Sequence, residues 1–233
     1  MTSSRLPGKI MKQVLGRTLL DYHASRILKS RLIGRLIIAT TTNVSDDPIE
    51  TFAQARHIAY VRGDESDVLS RFHLALEKYA AEIIVRVTSD CPLIDSDLLD
   101  QVVGYFLDHR DHFDYVRLGH ENYPRGLDVE VFSRAALEKA YSHGHDAHER
   151  EHVTPYIYRE DSEFRWTTFP SSHKSGSHRW CVDEPADFEL IRHILSAFEG
   201  RDDFSWQECL ALFDDHPHWF DINSHIHQKT LRQ

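Results

Sequence analysis

Short apolar runs alternate with amphipathic stretches along the first half of the chain. Runs of β-branched and aliphatic residues at positions 35–40 and 83–88 predict two strands buried on both faces, and residues 58–61 predict a shorter one. Between them, capping residues and helical spacing predict helices at residues 47–55, 67–79 and 97–107. Strands that alternate with helices predict right-handed crossovers and a three-layer α/β fold around a mostly parallel sheet.

The pattern changes after residue 110. Alternation of apolar and polar residues predicts half-buried strands at 114–118 and 127–132. Further helices are predicted at 134–141, 149–158 and 185–198, and further strands at 164–169 and 178–182. We expect this half to extend over the mouth of the sheet as a lid or second pocket. No linker divides the first 110 residues, and the length of the chain predicts one domain, residues 1–233, with residues 1–110 and 111–233 as its halves.

Composition narrows the choice of partners. The 233 residues carry a formal net charge of −10, which argues against a nucleic-acid partner, so a polyanionic ligand needs local cations or a metal. The three cysteines are scattered, without metal-ligand or disulfide spacing, which is typical of a reducing compartment. No long apolar run or signal-peptide pattern is present, so we expect a cytoplasmic protein without a membrane partner.

The segment SRLPGK, residues 4–9, has the composition of a phosphate-binding loop. It combines small residues and a Pro-Gly turn with two cations, Arg5 and Lys9. Such loops normally follow a β-strand, and almost nothing precedes this one. Its candidate ligand-binding residues are Ser4, Arg5, Gly8 and Lys9.

Two acidic residues follow predicted strands. Asp90 comes just after residues 83–88, and Asp183 just after residues 178–182. Ligands of open α/β sheets bind outside the carboxyl ends of the strands, and paired carboxylates suit Mg²⁺. The alternative is that both acids cap the helices that follow them, and the spacing alone does not decide between the two.

Five motifs together resemble the cytidylyltransferases of the spore-coat polysaccharide type, which are similar to the acylneuraminate and ketodeoxyoctonate cytidylyltransferases. The match covers nearly the whole chain, and the five motifs are jointly specific although no single one would suffice. They are SRLPGK (4–9), RVTSDCPLID (86–95), YPRGLDVE (123–130), EREHVTPYIY (149–158) and RWCVD (179–183).

The resemblance implies a three-layer nucleotide-diphospho-sugar transferase fold, Rossmann-like, with a mixed sheet. It implies a nucleotidyltransferase that activates an acidic, sialic-acid-like sugar with CTP, giving CMP-sugar and pyrophosphate for polysaccharide biosynthesis. Arg5 and Lys9 are then expected to grip the triphosphate, and Asp90 and Asp183 to hold Mg²⁺ between nucleotide and acceptor. Lys9, Asp90 and Asp183 become the candidate catalytic residues, and a homodimer is expected by analogy.

The acceptor side follows from the third and fourth motifs. Arg125 can pair with a sugar carboxylate through its bidentate fork, and Asp128 or Glu130 can accept sugar hydroxyls. Alternation places Asp128 and Glu130 on one face of their strand, with the apolar residues on the other. His152 is expected to be a polar contact in the same pocket.

Two other functions stay open at this point. His148 to His152 matches the HExxH pattern of zinc peptidases, but the flanking residues are poor for that class and no third ligand stands out. The resemblance also implies an apolar strand ending in Gln-Ala-Arg before the loop, and neither precedes Ser4 here. This leaves open a homologue that binds nucleotide or sugar without catalysis, or one impaired by truncation.

The missing strand leads to an expectation about the structure. In such a sheet, the first strand of the chain lies between the second and fourth strands, which are predicted here at residues 35–40 and 83–88. Its absence leaves backbone groups of both neighbours without partners. We therefore expect a strand-wide gap or an unusual repair between them, a poorly anchored loop at residues 4–9, and Met1 as an internal methionine of a longer parent.

Overall fold

The computed structural model describes residue 3 and residues 5–226 of the chain. Its strands are β1 Gln13–Val14, β2 Arg17–Thr18, β3 Ile37–Thr41, β4 Ala59–Gly63, β5 Ile83–Arg86, β6 Tyr115–Arg117, β7 Glu130–Ser133 and β8 Trp166–Thr168. Its helices are α1 Leu19–Ile27, α2 Asp47–Ala55, α3 Val68–Lys78, α4 Ser96–Asp108, α5 Arg134–His143, α6 Ala147–His152, α7 Pro155–Tyr158, α8 Pro185–Ala197 and α9 Trp206–Asp215. Three short 3₁₀ turns cover Lys9–Met11, Val44–Asp46 and Pro217–Ile222.

The main strands form two separate sheets. β3 pairs with β4 in parallel, with Ile37 opposite Ala59. The other sheet has the order β5-β7-β6-β8, in which β7 is antiparallel to both neighbours and β8 is parallel to β6. Within the described residues no strand joins β3 to β5, which confirms the predicted gap.

Helices cover both faces of the larger sheet. Val116 and Val131 pack with α4 and α8 in the main core, whereas the adjacent Tyr115 and Phe132 pack with α3 and α5 in a second core. Since neighbouring residues of a strand point to opposite faces, the two cores lie on opposite sides of the sheet. The predicted three-layer arrangement with a mixed sheet is confirmed. Among the described helices, none is long and apolar enough to cross a bilayer.

Several predicted elements have different limits. The single helix expected at 149–158 is two helices, because Val153 has a left-handed φ of 72° and Pro155 starts α7. Residues 178–182 do not form a strand, and their ladder contact is one bridge between Arg125 and Arg179. β7 begins at Glu130, so the predicted strand at 127–132 starts too early.

The sequence pattern did not predict the two short strands and the helix α1 at residues 13–27. Leu15 and Gly16 both have positive φ and form the two-residue turn between β1 and β2. Thr18 then caps α1 by accepting a hydrogen bond from the amide of Asp21. α1 buries His23 and Arg26 along with its apolar residues, so it lacks the polar face by which an amphipathic helix is recognised.

Candidate active site

The loop at residues 5–9 is tied to the protein at both ends. Leu6 is buried in the main core, and Gly8 turns the chain with a φ of 67°, a conformation that favours glycine. Arg5 Nη2 and Lys9 Nζ both reach Asp183, at 3.3 and 2.8 Å. The expectation of a poorly anchored loop was wrong for this segment, because core packing and ion pairs hold it; Ser4 lies outside the described residues.

Asp90 and Asp183 converge on one point. The amide of Val182 donates to the carbonyl of Asp90 at 2.8 Å, which fixes the two segments side by side. Lys9 Nζ lies 2.7 Å from Asp90 Oδ2 and 2.8 Å from Asp183 Oδ1. Two carboxylates separated by more than 90 residues of sequence therefore share a single cation.

Neither acid caps the helix that follows it. α4 is capped by Asp95, whose side chain accepts from the amide of Leu98 at 2.8 Å. α8 begins after Glu184 and is capped in part by Asp187, which accepts from the amides of Asp183 and Glu184. The capping alternative is therefore wrong, and the carboxylates of Asp90 and Asp183 are available to the site.

Asp183 is held by a charged framework that the sequence analysis missed. Arg179 Nη2 donates to Asp183 Oδ2 at 2.7 Å, and Arg179 Nε donates to Asp187 Oδ1 at 2.9 Å. Asp187 is fully buried and also accepts from the amide side chain of Asn223 at 2.9 Å. The signal was present as a charged residue four positions before and four after Asp183, but only the fold shows that all three meet.

Charge pairing determines the ionisation of this cluster. Burial favours a neutral Lys9, but the neighbouring Asp90 and Asp183 outweigh it and raise the pKa of Lys9. Burial favours a neutral Asp183, but hydrogen bonds from Lys9 and Arg179 outweigh it and lower the pKa of Asp183. Around neutral pH the ammonium and the carboxylate are both charged.

The acid pair fits a hard divalent cation. Its oxygens already surround one positively charged atom, Lys9 Nζ, so the position is electrostatically suited to a cation. Mg²⁺ is commonly bound through one or two carboxylates, with substrate phosphates and waters completing the shell. No group of three or more acidic, histidine or cysteine side chains able to hold a metal occurs in the described residues, so a resident all-protein metal cage is not present there.

A cavity of about 310 Å³ opens beside the pair. It lies at the carboxyl end of β5, near the edge where open α/β sheets bind ligands, and touches β3 at its middle residue, Ala39. Its wall combines the basic loop, the strand ends and α3. The lining includes Gly8, Lys9, Ala39, Phe72, Thr88 and Asp90.

The acids proposed for the acceptor side already have protein partners. Glu130 Oε1 accepts hydrogen bonds from Tyr115 Oη and Thr154 Oγ1, both at 2.6 Å, and Glu130 also pairs with Arg86. Asp128 accepts from the amide of Gly126 at 3.0 Å and pairs with His120 Nδ1 at 2.8 Å. The predicted alternation is confirmed, since the apolar residues between and beside these acids are buried: Leu127, Val129 and Val131.

These contacts involve two residues that the sequence analysis did not select, His120 and Arg86. Burial alone would raise the pKa of Asp128, but the hydrogen bond and charge of His120 lower it overall. Arg86 lines the 310 Å³ cavity and reaches Glu130 across the β5–β7 ladder, where the two residues are in register. The Arg86–Glu130 pair therefore links the cavity wall to β7.

Arg125 and His152 differ from these acids. Arg125 is fixed through its backbone, whose amide donates to the carbonyl of His178 at 3.0 Å, and its guanidinium has no hydrogen bond or ion pair with the described chain. His152 packs its ring 4.7 Å from that of His148, and burial lowers its pKa. Within the described residues, neither side chain is held by a hydrogen bond or an ion pair.

The HExxH reading is not supported by the geometry. Glu149 is buried and accepts hydrogen bonds from the amides of His145 and Asp146 at the start of α6, so it is a capping residue. Arg150, inside the motif, pairs with Asp67. Cys91 is no nucleophile either, because burial raises the pKa of its thiol well above the usual range.

Comparison with known proteins supports the resemblance seen in the motifs. Residues 1–208 match the family model described as cytidylyltransferase. An uncharacterised protein of Methanocaldococcus jannaschii is 34% identical over 99% of this chain and 94% of its own length. The spore coat polysaccharide biosynthesis protein SpsF of Bacillus subtilis is 28% identical over 93% of this chain and 92% of its own. A solved cytidylyltransferase from Leptospira borgpetersenii superposes with a TM-score of 0.90 and 30% identity, covering 98% of this chain and 95% of that one. The chain therefore belongs to the cytidylyltransferase family and has the mixed α/β fold of its solved relative.

Proposed function

We propose that this protein transfers the cytidylyl group of CTP to an acidic sugar, releasing pyrophosphate and giving a CMP-sugar for surface polysaccharide synthesis. The observation that carries the proposal is the convergence of Asp90 and Asp183 on one cation position beside the basic loop. Phosphoryl transfer depends mainly on positioning and charge neutralisation, which this arrangement supplies.

The basic loop is placed to receive the triphosphate. Arg5 and Lys9 use the acid pair as counter-ions in the protein described here, and a triphosphate offers them stronger ones. Asp90 and Asp183 are the residues that would hold Mg²⁺, which supplies neutralisation of the charge on the phosphates. Arg179 donates a hydrogen bond to the Asp183 carboxylate and so holds it in place.

The chemistry is a single displacement. A sugar hydroxyl oxygen forms a bond to the α-phosphorus, the bond from that phosphorus to the pyrophosphate oxygen breaks, and the hydroxyl proton is released. The role of the chain is to bring the hydroxyl in line with the leaving group. An acid pair whose two segments are joined by the hydrogen bond from the Val182 amide to the Asp90 carbonyl is suited to such positioning.

An acidic acceptor is supported by the charge of Arg125. Arg125 presents a guanidinium without a protein partner among the described residues, and its fork matches a carboxylate. Asp128 and Glu130 retain acceptor oxygens toward sugar hydroxyls, although His120 and Arg86 already share them. The motif resemblance to enzymes of acidic sugars agrees with this assignment.

The test is pyrophosphate release from CTP and Mg²⁺ with a panel of acidic and neutral sugars. We expect turnover with an acidic sugar and a loss of more than about 100-fold in Asp90→Asn, as for removal of a group that stabilises transition-state charge. Asp161→Asn is the matched control, because that side chain is 79% exposed and pairs only at the surface with Arg159. CTP binding without pyrophosphate release from any acceptor would instead support the non-catalytic alternative.

A further inference from the structure

Two arginines stand at the same edge of the larger sheet. β5 and β6 are both antiparallel to β7, so their carboxyl ends lie at one edge, and Arg86 and Arg117 are the last residues of these strands. Each is in register with Glu130 of β7, from opposite sides. Residues in register point to the same face, and strands two apart are separated by roughly 10 Å. The two arginines therefore flank Glu130 on one face of the sheet.

The two arginines have different partners. Arg86 pairs with one carboxylate oxygen of Glu130, and the other oxygen accepts hydrogen bonds from Tyr115 and Thr154. The guanidinium of Arg117 has no hydrogen bond or ion pair within the described chain, although its backbone lies opposite that of Glu130. Since Glu130 is already satisfied, Arg117 is a cation without an acidic partner among these residues.

Aromatic rings hold the guanidinium of Arg117. Its central carbon lies 4.9 Å from the ring centroid of Tyr158 and 5.1 Å from that of Trp166. Aromatic rings stabilise a guanidinium through its planar face, which leaves the N–H groups at its edge free to donate. Arg117 is half-buried and Trp166 is 38% exposed, so the guanidinium is held in place and can still be reached from solvent.

The position of Arg117 fits the far end of an extended ligand. Arg86 lines the 310 Å³ cavity together with Asp90, so the reacting groups of the proposed reaction lie on the β5 side. Arg117 lies two strands away from that side, past Glu130. An acceptor whose hydroxyl enters the cavity and whose body extends along this edge brings its other end to Arg117. A carboxylate at that end matches the fork of the guanidinium.

We propose that Arg117 binds a carboxylate of the acceptor at the end of the molecule away from the hydroxyl that reacts. The inference rests on the proposed function and deepens it by naming a class of acceptor. That class is a sugar acid whose carboxylate and reacting hydroxyl lie at opposite ends, as in a hexuronate. Tyr158 and Trp166 position the guanidinium, and Glu130 keeps Arg86 at the cavity.

The test measures binding through the fluorescence of Trp166, without turnover. The other three tryptophans are buried: Trp180, Trp206 and Trp219. D-Glucuronate is titrated into the wild type, Arg117→Met and Arg35→Met, with D-glucose as the uncharged counterpart. Arg35 is the matched control, because it also lies over a tyrosine ring, 5.1 Å from the centroid of Tyr79, but precedes the amino end of β3.

We expect the dissociation constant for glucuronate to rise at least about tenfold in Arg117→Met, because a charge-assisted hydrogen bond is lost, and to stay unchanged in Arg35→Met. Glucose should not distinguish the three proteins. Equal glucuronate affinity in the wild type and Arg117→Met, or no response in the wild type, would overturn the proposal. Trp166→Phe should abolish the fluorescence response, and a response that persists would place the ligand elsewhere and overturn the proposal as well.

Pyrophosphate release separates this proposal from the proposed function. With an acidic sugar that supports turnover, Arg117→Met should raise the KM for that sugar about tenfold and leave kcat and the KM for CTP near the wild-type values. Turnover with an unchanged KM for the sugar would leave the proposed function standing and overturn the role of Arg117. Absence of pyrophosphate release with every sugar would overturn the proposed function, whereas the glucuronate titration alone decides whether Arg117 binds a carboxylate.

Discussion

The proposed nucleotide side and the proposed acceptor side of the site use charge in opposite ways. Beside the basic loop, Asp90 and Asp183 face a cation position, and Arg179 holds Asp183 from behind. On the acceptor side the acids are already engaged by protein groups, and the available groups are the guanidinium of Arg125 and the imidazole of His152. The first arrangement is suited to a metal-bound triphosphate, and the second to an anionic acceptor.

In the proposed reaction, two anionic substrates meet in one site of an acidic protein. The net charge of −10 repels both, so local cations must attract them. Arg5 and Lys9 do this on one side, and Arg125 on the other. The Arg86–Glu130 pair lies between them as a neutral link, so removing a charge should affect only the side to which it belongs.

The largest effect is expected at Asp183. Asp183→Asn keeps the shape and removes one of the two charges that face the cation position, so turnover should fall more than about 100-fold. Mn²⁺ affinity in the presence of CTP should fall with it, while the melting temperature stays near that of the wild type. Unchanged Mn²⁺ affinity would show that Asp183 does not hold the metal.

The next largest effect is expected at Lys9. Lys9→Met removes the ammonium beside the phosphates, and we expect the KM for CTP to rise about 10- to 100-fold, because charge-assisted hydrogen bonds to phosphate are lost. The KM for the sugar should change little. Lys12→Met is the matched control, since Lys12 is a nearby cation that lies over the ring of Phe188 instead of the acid pair. An equal rise in both variants would mean that the loop acts only through its net charge.

A smaller effect is expected at Arg125, on the proposed acceptor side. Arg125→Ala should raise the KM for an acidic sugar about tenfold, the value of one charge-assisted contact, and leave the KM for CTP unchanged. With a neutral sugar analogue, the wild type and Arg125→Ala should have the same KM for the sugar. Arg110→Ala, at an exposed position on another face, serves as the control. If Arg125→Ala kept the wild-type KM for the sugar, Arg125 would not be an acceptor-binding residue.

The smallest effect concerns stability near the acceptor side. Burial lowers the pKa of His178, which packs among Trp180, Phe213 and Phe220. Because its folded pKa lies below the ordinary value of about 6.5, the unfolded chain takes up a proton first, and stability falls as the pH drops below that value. His178→Phe should therefore reduce the slope of unfolding free energy between about pH 6.5 and 5 in urea titrations. An unchanged slope, with exposed His112→Ala as reference, would assign the pH dependence to other histidines.

Local patterns were sufficient for much of the fold. Residues 47–55 were predicted as a helix with the limits that α2 has, because a cap, an early proline and helical spacing all lie within nine residues. The strands near residues 37 and 83 were recognised for the same reason, as short apolar runs. The helix α1 was not, since it buries a histidine and an arginine whose partners lie elsewhere in the chain.

The sequence pattern by itself predicted the alternating elements and selected Asp90 and Asp183 as candidate site residues, through chain periodicity and the rule that strand ends carry ligands. The gap between β3 and β5 was expected from the family resemblance. Only the tertiary structure decided that Lys9 bridges those acids, that Arg179 and Asp187 hold Asp183, and that Glu130 is engaged by Arg86 and Tyr115. The physical reason is distance along the chain. A hydrogen bond between residues 9 and 183 leaves no periodic signal in the sequence, and its existence depends on how the packed layers bring the strand ends together.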